Sequence, residues 1–127
     1  MLFLGENYII KALNKGCTFD GSLGQGGGLV VKDNYVITPF VEVVGGHAIN
    51  FAPAPYWWYN LDIYMIEYNS SKERLDFWRC QGDMLGGRTV TTKAATKYVR
   101  FSCPAVYLTI LRIKDMTDDT TLFEIIS

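Results

Sequence analysis

A single histidine, His47, limits every histidine-based mechanism open to this chain. A hydrolase triad places its base between a nucleophile and an orienting acid, so any such scheme here must be built around that one residue. His47 follows the Gly45-Gly46 pair and begins an alternating run, His47-Ala48-Ile49-Asn50-Phe51, in which it shares a side with Ile49 and Phe51. That placement reads as structural. Glycosidase chemistry needs two carboxylates facing one another across a cleft. Glu42, Asp62, Glu67 and Asp83 carry the group, but no local arrangement singles one out. The expectation is a non-enzymatic chain with no catalytic residues.

Asp115, Asp118, Asp119 and Glu124 gather oxygens near the C-terminal end, and hard cations take clustered oxygens. Their spacing is not that of a calcium loop, and Thr117-Asp118-Asp119-Thr120-Thr121 reads as a solvated turn between the last two strands. Cys17, Cys80 and Cys103 are odd in number, far apart and without a CxxC pair, so they read as reduced, buried thiols. No metal and no cofactor are expected. The stretch GSLGQGGG, residues 21–28, holds five glycines in eight positions but lacks the Lys-Ser/Thr ending of a phosphate loop. It is read as a flexible loop.

The candidate binding residues are Tyr56, Trp57, Trp58 and Tyr59, within PYWWYN at 55–60. In an extended segment Tyr56 and Trp58 point one way and Trp57 and Tyr59 the other, so only one pair can be core. The second pair is then exposed, and clustered exposed aromatics mark interaction surfaces. Flat rings with polar tips serve two partners: a sugar face, on which they stack, or another protein, in which they anchor.

These groups must be positioned by strands. β-Branched and aromatic residues alternate with polar ones in short runs separated by Gly, Asn, Asp and Pro. The runs are 29–33, 35–44, 47–51, 61–68, 75–80, 88–92, 97–103, 106–114 and 122–126. Pro39 cannot donate to a ladder, so 35–44 is an edge or a broken strand. The run at 61–68 is apolar on most of both faces and is expected to be central, with Asn69-Ser70-Ser71-Lys72 turning into a hairpin partner. Asn7 caps a candidate short N-terminal helix over 8–15 that ends at Gly16, with an extended segment as the alternative. The fold class is all-β: an antiparallel β-sandwich, jelly-roll-like, of eight or nine strands. One domain spans 1–127, with 1–28 as an N-terminal segment plus glycine loop and 29–127 as the sandwich core.

The 127 residues carry 12 Lys and Arg against 13 Asp and Glu, a net charge of -1, and no basic run that could neutralise a row of phosphates. Nucleic acid is not an expected partner. The opening Met-Leu-Phe-Leu is broken by Gly5-Glu6-Asn7, far short of a signal segment or a membrane span, so no membrane is expected. Near-neutral charge and a surplus of aromatics favour association through apolar surface, and a homo-oligomer, for instance a trimer, is expected.

Three stretches carry a resemblance: Tyr35 through Gly46 (YVITPFVEVVGG), Ile63 to Tyr68 running into Asn69-Ser70-Ser71-Lys72, and Thr91 through Ser102 (TTKAATKYVRFS). In order and separation they resemble the jelly-roll, carbohydrate-binding-like modules of bacteriophage virion proteins, found in tail fibres, baseplates and head fibres. The likeness spans roughly residues 30–103. Pro39 and Glu42 stand where that family more often has an acid and a proline, and Lys93 replaces the proline after Thr92. The resemblance implies a sandwich fold and a virion setting, with synthesis in a host cytoplasm. It carries over no catalytic residue. A chain of this length is expected to be an auxiliary or decoration protein that binds capsid or tail subunits through Tyr56–Tyr59. The alternative is a module that recognises a surface glycan as host receptor.

Overall fold

The computed structural model describes residues 11–24, 26, 28–54, 63–80, 87–105 and 110–126. Ten strands run through them: β1 (Thr18–Leu23), β2 (Leu29–Ile37), β3 (Val41–Glu42), β4 (Ala48–Ala54), β5 (Ile63–Tyr68), β6 (Arg74–Cys80), β7 (Arg88–Thr91), β8 (Tyr98–Pro104), β9 (Ile110–Asp115) and β10 (Thr120–Ile126). They build two antiparallel sheets. One has six strands in the order β1-β2-β8-β5-β6, with β3 also paired to β8; the other has four, in the order β10-β9-β4-β7. Hairpins join β1 to β2, β5 to β6 and β9 to β10, whereas the chain changes sheet from β3 to β4, β4 to β5, β6 to β7, β7 to β8 and β8 to β9. The expected all-β sandwich is observed. Its strand count is higher than eight or nine because β1 forms where only loop and N-terminal segment were read.

That extra strand has a local cause. Gly21, Ser22 and Leu23 pair with Val31, Val30 and Leu29, and Gly24 N–H closes the tip on the Gly28 carbonyl at 2.8 Å. Only the end of the glycine-rich stretch is therefore turn. The pattern of side chains could not show this, because glycine contributes nothing to an alternating signal.

Of the expected N-terminal helix over 8–15, residues 11–14 are helical and 8–10 lie outside the described residues. The helix ends as expected at Gly16, whose φ of +86 admits a left-handed cap. Cys17 N–H bonds the Ala12 carbonyl and Gly16 N–H the Leu13 carbonyl, the paired bonds of a Schellman ending. Cys17 and Ala12 are both buried in the main core, so the cap also fixes the chain's entry into β1.

Period-two alternation sorts the six-stranded sheet into two faces. Val36, Met65, Val99, Phe101 and Cys103 face the second sheet and form one cluster with its Ile49, Phe51, Leu111, Ile113, Phe123 and Ile125. Phe51 and Phe101 meet across the sandwich with ring centroids 4.9 Å apart. Pro39 breaks the 35–44 run as expected, since β2 stops at Ile37 and β3 resumes at Val41. A second proline, Pro53, is tolerated inside β4 because it lies past Phe51, the last residue paired with β7, where among the described strands β9 is the one neighbour. The 61–68 run is central as expected, its described part pairing with β6 on one side and β8 on the other.

Candidate functional site

Tyr56, Trp57, Trp58 and Tyr59 lie outside the described residues, as do Asp62 and Asp83. The remaining candidates are all placed. Glu42 is exposed and pairs with Lys97 at 2.5 Å. Glu67 is fully buried, with both oxygens occupied: Oε1 accepts from the Lys93 N–H at 2.8 Å and the Thr96 hydroxyl at 2.6 Å, and Oε2 from the Trp78 indole. It is a structural acceptor that ties the 92–97 turn to β5 and β6.

His47 sits in the turn before β4 and is held by Asp115, whose Oδ2 lies 2.8 Å from Nδ1. Asp115 is buried, and its Oδ1 accepts the backbone N–H groups of Thr117 and Asp118 at 2.9 and 3.0 Å. Asp118 adds a carboxylate 3.7 Å from the same His47 nitrogen. The nearby hydroxyls are committed to backbone: Thr92 Oγ1 donates to the His47 carbonyl and accepts from Gly46 N–H, while Thr117 Oγ1 accepts from Ala48 N–H. The two turns are thereby locked together at one end of the four-stranded sheet. The Asp115 hydrogen bond raises the His47 pKa above its ordinary value, against a smaller opposing effect of desolvation and with help from the Asp118 charge. For Asp115 burial acts upward, but the Asp118 N–H, His47 and the Thr117 N–H together hold the carboxyl below its ordinary value. Asp119 is engaged elsewhere, on Lys114 at 2.6 Å, and Glu124 pairs with Arg112.

Two of the three thiols behave as read, and the Cys80 side chain lies outside what the structure describes. Cys17 and Cys103 are free and buried, and burial pushes the Cys17 pKa up to about 12 and that of Cys103 well above the ordinary thiol range.

Two surfaces that composition alone did not reveal stand out. The first is the face of the six-stranded sheet turned away from the second sheet. Cross-strand register puts Tyr64 opposite Ser102, Ile66 opposite Arg100 and Phe77, and Tyr68 opposite Tyr98 on this side. Leu23, Ile37, Ile66 and Tyr68 form a small buried cluster there, roofed by half-buried Phe40, Tyr64, Phe77 and Tyr98. Cations interleave with the rings. Arg100 lies 4.6 Å and Lys72 4.9 Å from the Phe40 centroid, and Arg74 lies 6.0 Å from that of Phe77. Among the described residues none of Lys72, Arg74 and Arg100 has a carboxylate at ion-pair distance. The alternating runs contain Phe40, Tyr64, Phe77, Tyr98 and Arg100 without showing which side of the sheet they take, whereas Lys72 reads as turn and Arg74 falls outside the runs.

The second surface is the tip of the β1–β2 hairpin. Leu29, Val30 and Val31 are 55, 48 and 91% exposed, three apolar residues in succession. Among the described strands they pair only with β1, since β2 meets β8 at Tyr35–Ile37. An apolar strand with an open edge invites pairing with another chain. No protein-family model, curated protein or solved structure matches the chain.

Proposed function

We propose that this chain is a non-enzymatic structural module of a bacteriophage virion, an auxiliary or decoration protein that attaches to capsid or tail subunits as a symmetric oligomer. The observation that carries the reading is the β1–β2 tip, where Leu29, Val30 and Val31 stand exposed and, among the described strands, pair only with β1. Soluble monomers rarely leave such a run uncovered, and strand addition combined with apolar burial is how one sheet protein seats on another. The aromatic segment 56–59 supplies further anchors in the same reading. Mass photometry of the chain with purified particles of its parent phage, and with separated heads and tails, tests it. Saturable attachment that Val31→Glu abolishes is expected; no attachment to any virion part defeats the reading.

A second reading, recognition of a surface glycan, draws on the ring-and-cation face around Phe40, Tyr64, Phe77 and Tyr98. Tyrosine hydroxyls, and cations that have no carboxylate at ion-pair distance among the described residues, suit hydroxyl-rich or acidic sugars where they stand beside flat rings. Glycan-array binding lost in Trp57→Ala or Trp58→Ala, or in Arg100→Ala, supports it. Absence of signal, or signal unchanged by all three substitutions, removes it.

A further inference from the structure

We infer that His47, Asp115 and Asp118 form a binding site for a borderline divalent metal ion, with Zn²⁺ the best fit. One ligand atom from each residue lies within 4.8 Å of the others. From His47 Nδ1 the two carboxylate oxygens stand at 2.8 and 3.7 Å. Ligand atoms of a tetrahedral Zn²⁺ site, with bonds of about 2.0–2.1 Å, are about 3.3–3.4 Å apart. The His47–Asp115 pair lies inside that edge and the His47–Asp118 pair just outside it, so an ion that takes the place of the Nδ1 proton spreads the first pair while Asp118, exposed at the turn, swings in to close the triangle.

The rest of the shell is built already. Asp115 Oδ1 is spent on two backbone N–H groups, which aims Oδ2 at the histidine. Thr92 N–H and hydroxyl both donate to the His47 carbonyl, and Met116 N–H reaches across to the Ala48 carbonyl, so the backbones of both turns are tied together before binding. Such backing orients ligands in metal sites. Charge also closes: a neutral imidazole and two carboxylates carry about two negative charges, which a divalent ion cancels once it displaces the Nδ1 proton. Lys114 keeps Asp119 out of the set. The imidazole ligand disfavours Ca²⁺ and Mg²⁺, which take oxygens, and leaves a fourth position for water. The inference is independent of the virion reading, because it concerns how two turns are clamped and not what the surface binds.

The test is a titration of the full chain, metal-free at neutral pH, with Co²⁺ followed by Zn²⁺. The expected result is a tetrahedral Co²⁺ ligand-field spectrum that Zn²⁺ bleaches, with affinity at least about tenfold lower in both His47→Gln and Asp118→Asn. Asp118 is exposed, so its variant folds even if His47→Gln is unstable. Glu124→Gln, off the site, leaves the spectrum unchanged. Absence of a Co²⁺ spectrum, or a spectrum indifferent to both ligand substitutions, overturns the site and leaves a plain ion pair.

Discussion

The indole nitrogen of Trp78 donates a 2.5 Å hydrogen bond to Oε2 of Glu67 across the β5–β6 pair, on the side of the sheet that faces the sandwich interior. Trp78 packs against the main core, and Met65 is its cross-strand partner. Its truncation therefore removes both apolar contact and a donor. Trp78→Ala is expected to cost about 3–5 kcal/mol in urea denaturation. Glu67→Gln keeps an oxygen for Lys93 and Thr96 but turns an amide N–H₂ toward the indole N–H, at a cost of about 1–3 kcal/mol. Glu67→Ala orphans three donors at once and is the worse variant. Equal stability of Glu67→Gln, Glu67→Ala and the parent chain would show that this network holds nothing.

The fold was legible from Leu29 onward because β-branched and aromatic residues alternate there, and the Asn69–Lys72 turn was legible because its residues bond their own backbone. Asn69 Oδ1 accepts from the Ser71 and Glu73 N–H groups, and Lys72 takes a φ of +62. β1 was not legible, since Gly21 has no side chain to alternate. Glu67 offered no sign that its carboxylate is an interior acceptor: its three donors come from Trp78, Lys93 and Thr96, remote in sequence and joined only by sheet register. The pairing of His47 with Asp115 was hidden for the same reason, with 68 positions between them. The exposed tip at Leu29–Val31 carries the same residue types as a core strand, so exposure there is set by topology alone.

The two placed thiols should be inert. With the Cys17 pKa pushed up to about 12 by burial and that of Cys103 raised well above its ordinary value by the same cause, almost no thiolate forms at neutral pH. Mass spectrometry after iodoacetamide treatment of the native chain should show neither Cys17 nor Cys103 alkylated, and both alkylated after denaturation. Rapid native labelling of either peptide contradicts their burial.

Two adjacent glycines separate crowding from backbone strain. A Cβ on Gly45 would overlap the Ala94 carbonyl oxygen and lie 2.8 Å from its carbon, whereas Gly46 has open space but a φ of +83. Gly45→Ala must push the 92–97 turn away, disturbing the Glu67 network, and is expected to cost about 2–3 kcal/mol. Gly46→Ala meets only the left-handed backbone penalty of about 1–2 kcal/mol. Chemical denaturation of both variants decides the order, and a Gly46→Ala loss larger than that of Gly45→Ala refutes the packing of these two turns.

The His47–Asp115 pair imposes a pH window on stability. A histidine whose pKa is raised in the folded state binds its proton more tightly there. Its contribution is complete below the ordinary value of 6.5 and is lost as pH climbs through the higher folded value. Asp115 works in the opposite sense: its folded pKa is depressed, so its contribution is present above the ordinary 3.8 and disappears as pH falls through the lower folded value. Asp118 faces the same imidazole and adds to the attraction. The stability difference between the parent chain and His47→Gln, measured by urea denaturation with a chelator present, is therefore expected to be largest at about pH 5–6 and to shrink on the alkaline side. A difference that stays constant from about pH 5 to pH 9 means that the imidazole carries no proton-linked interaction with Asp115.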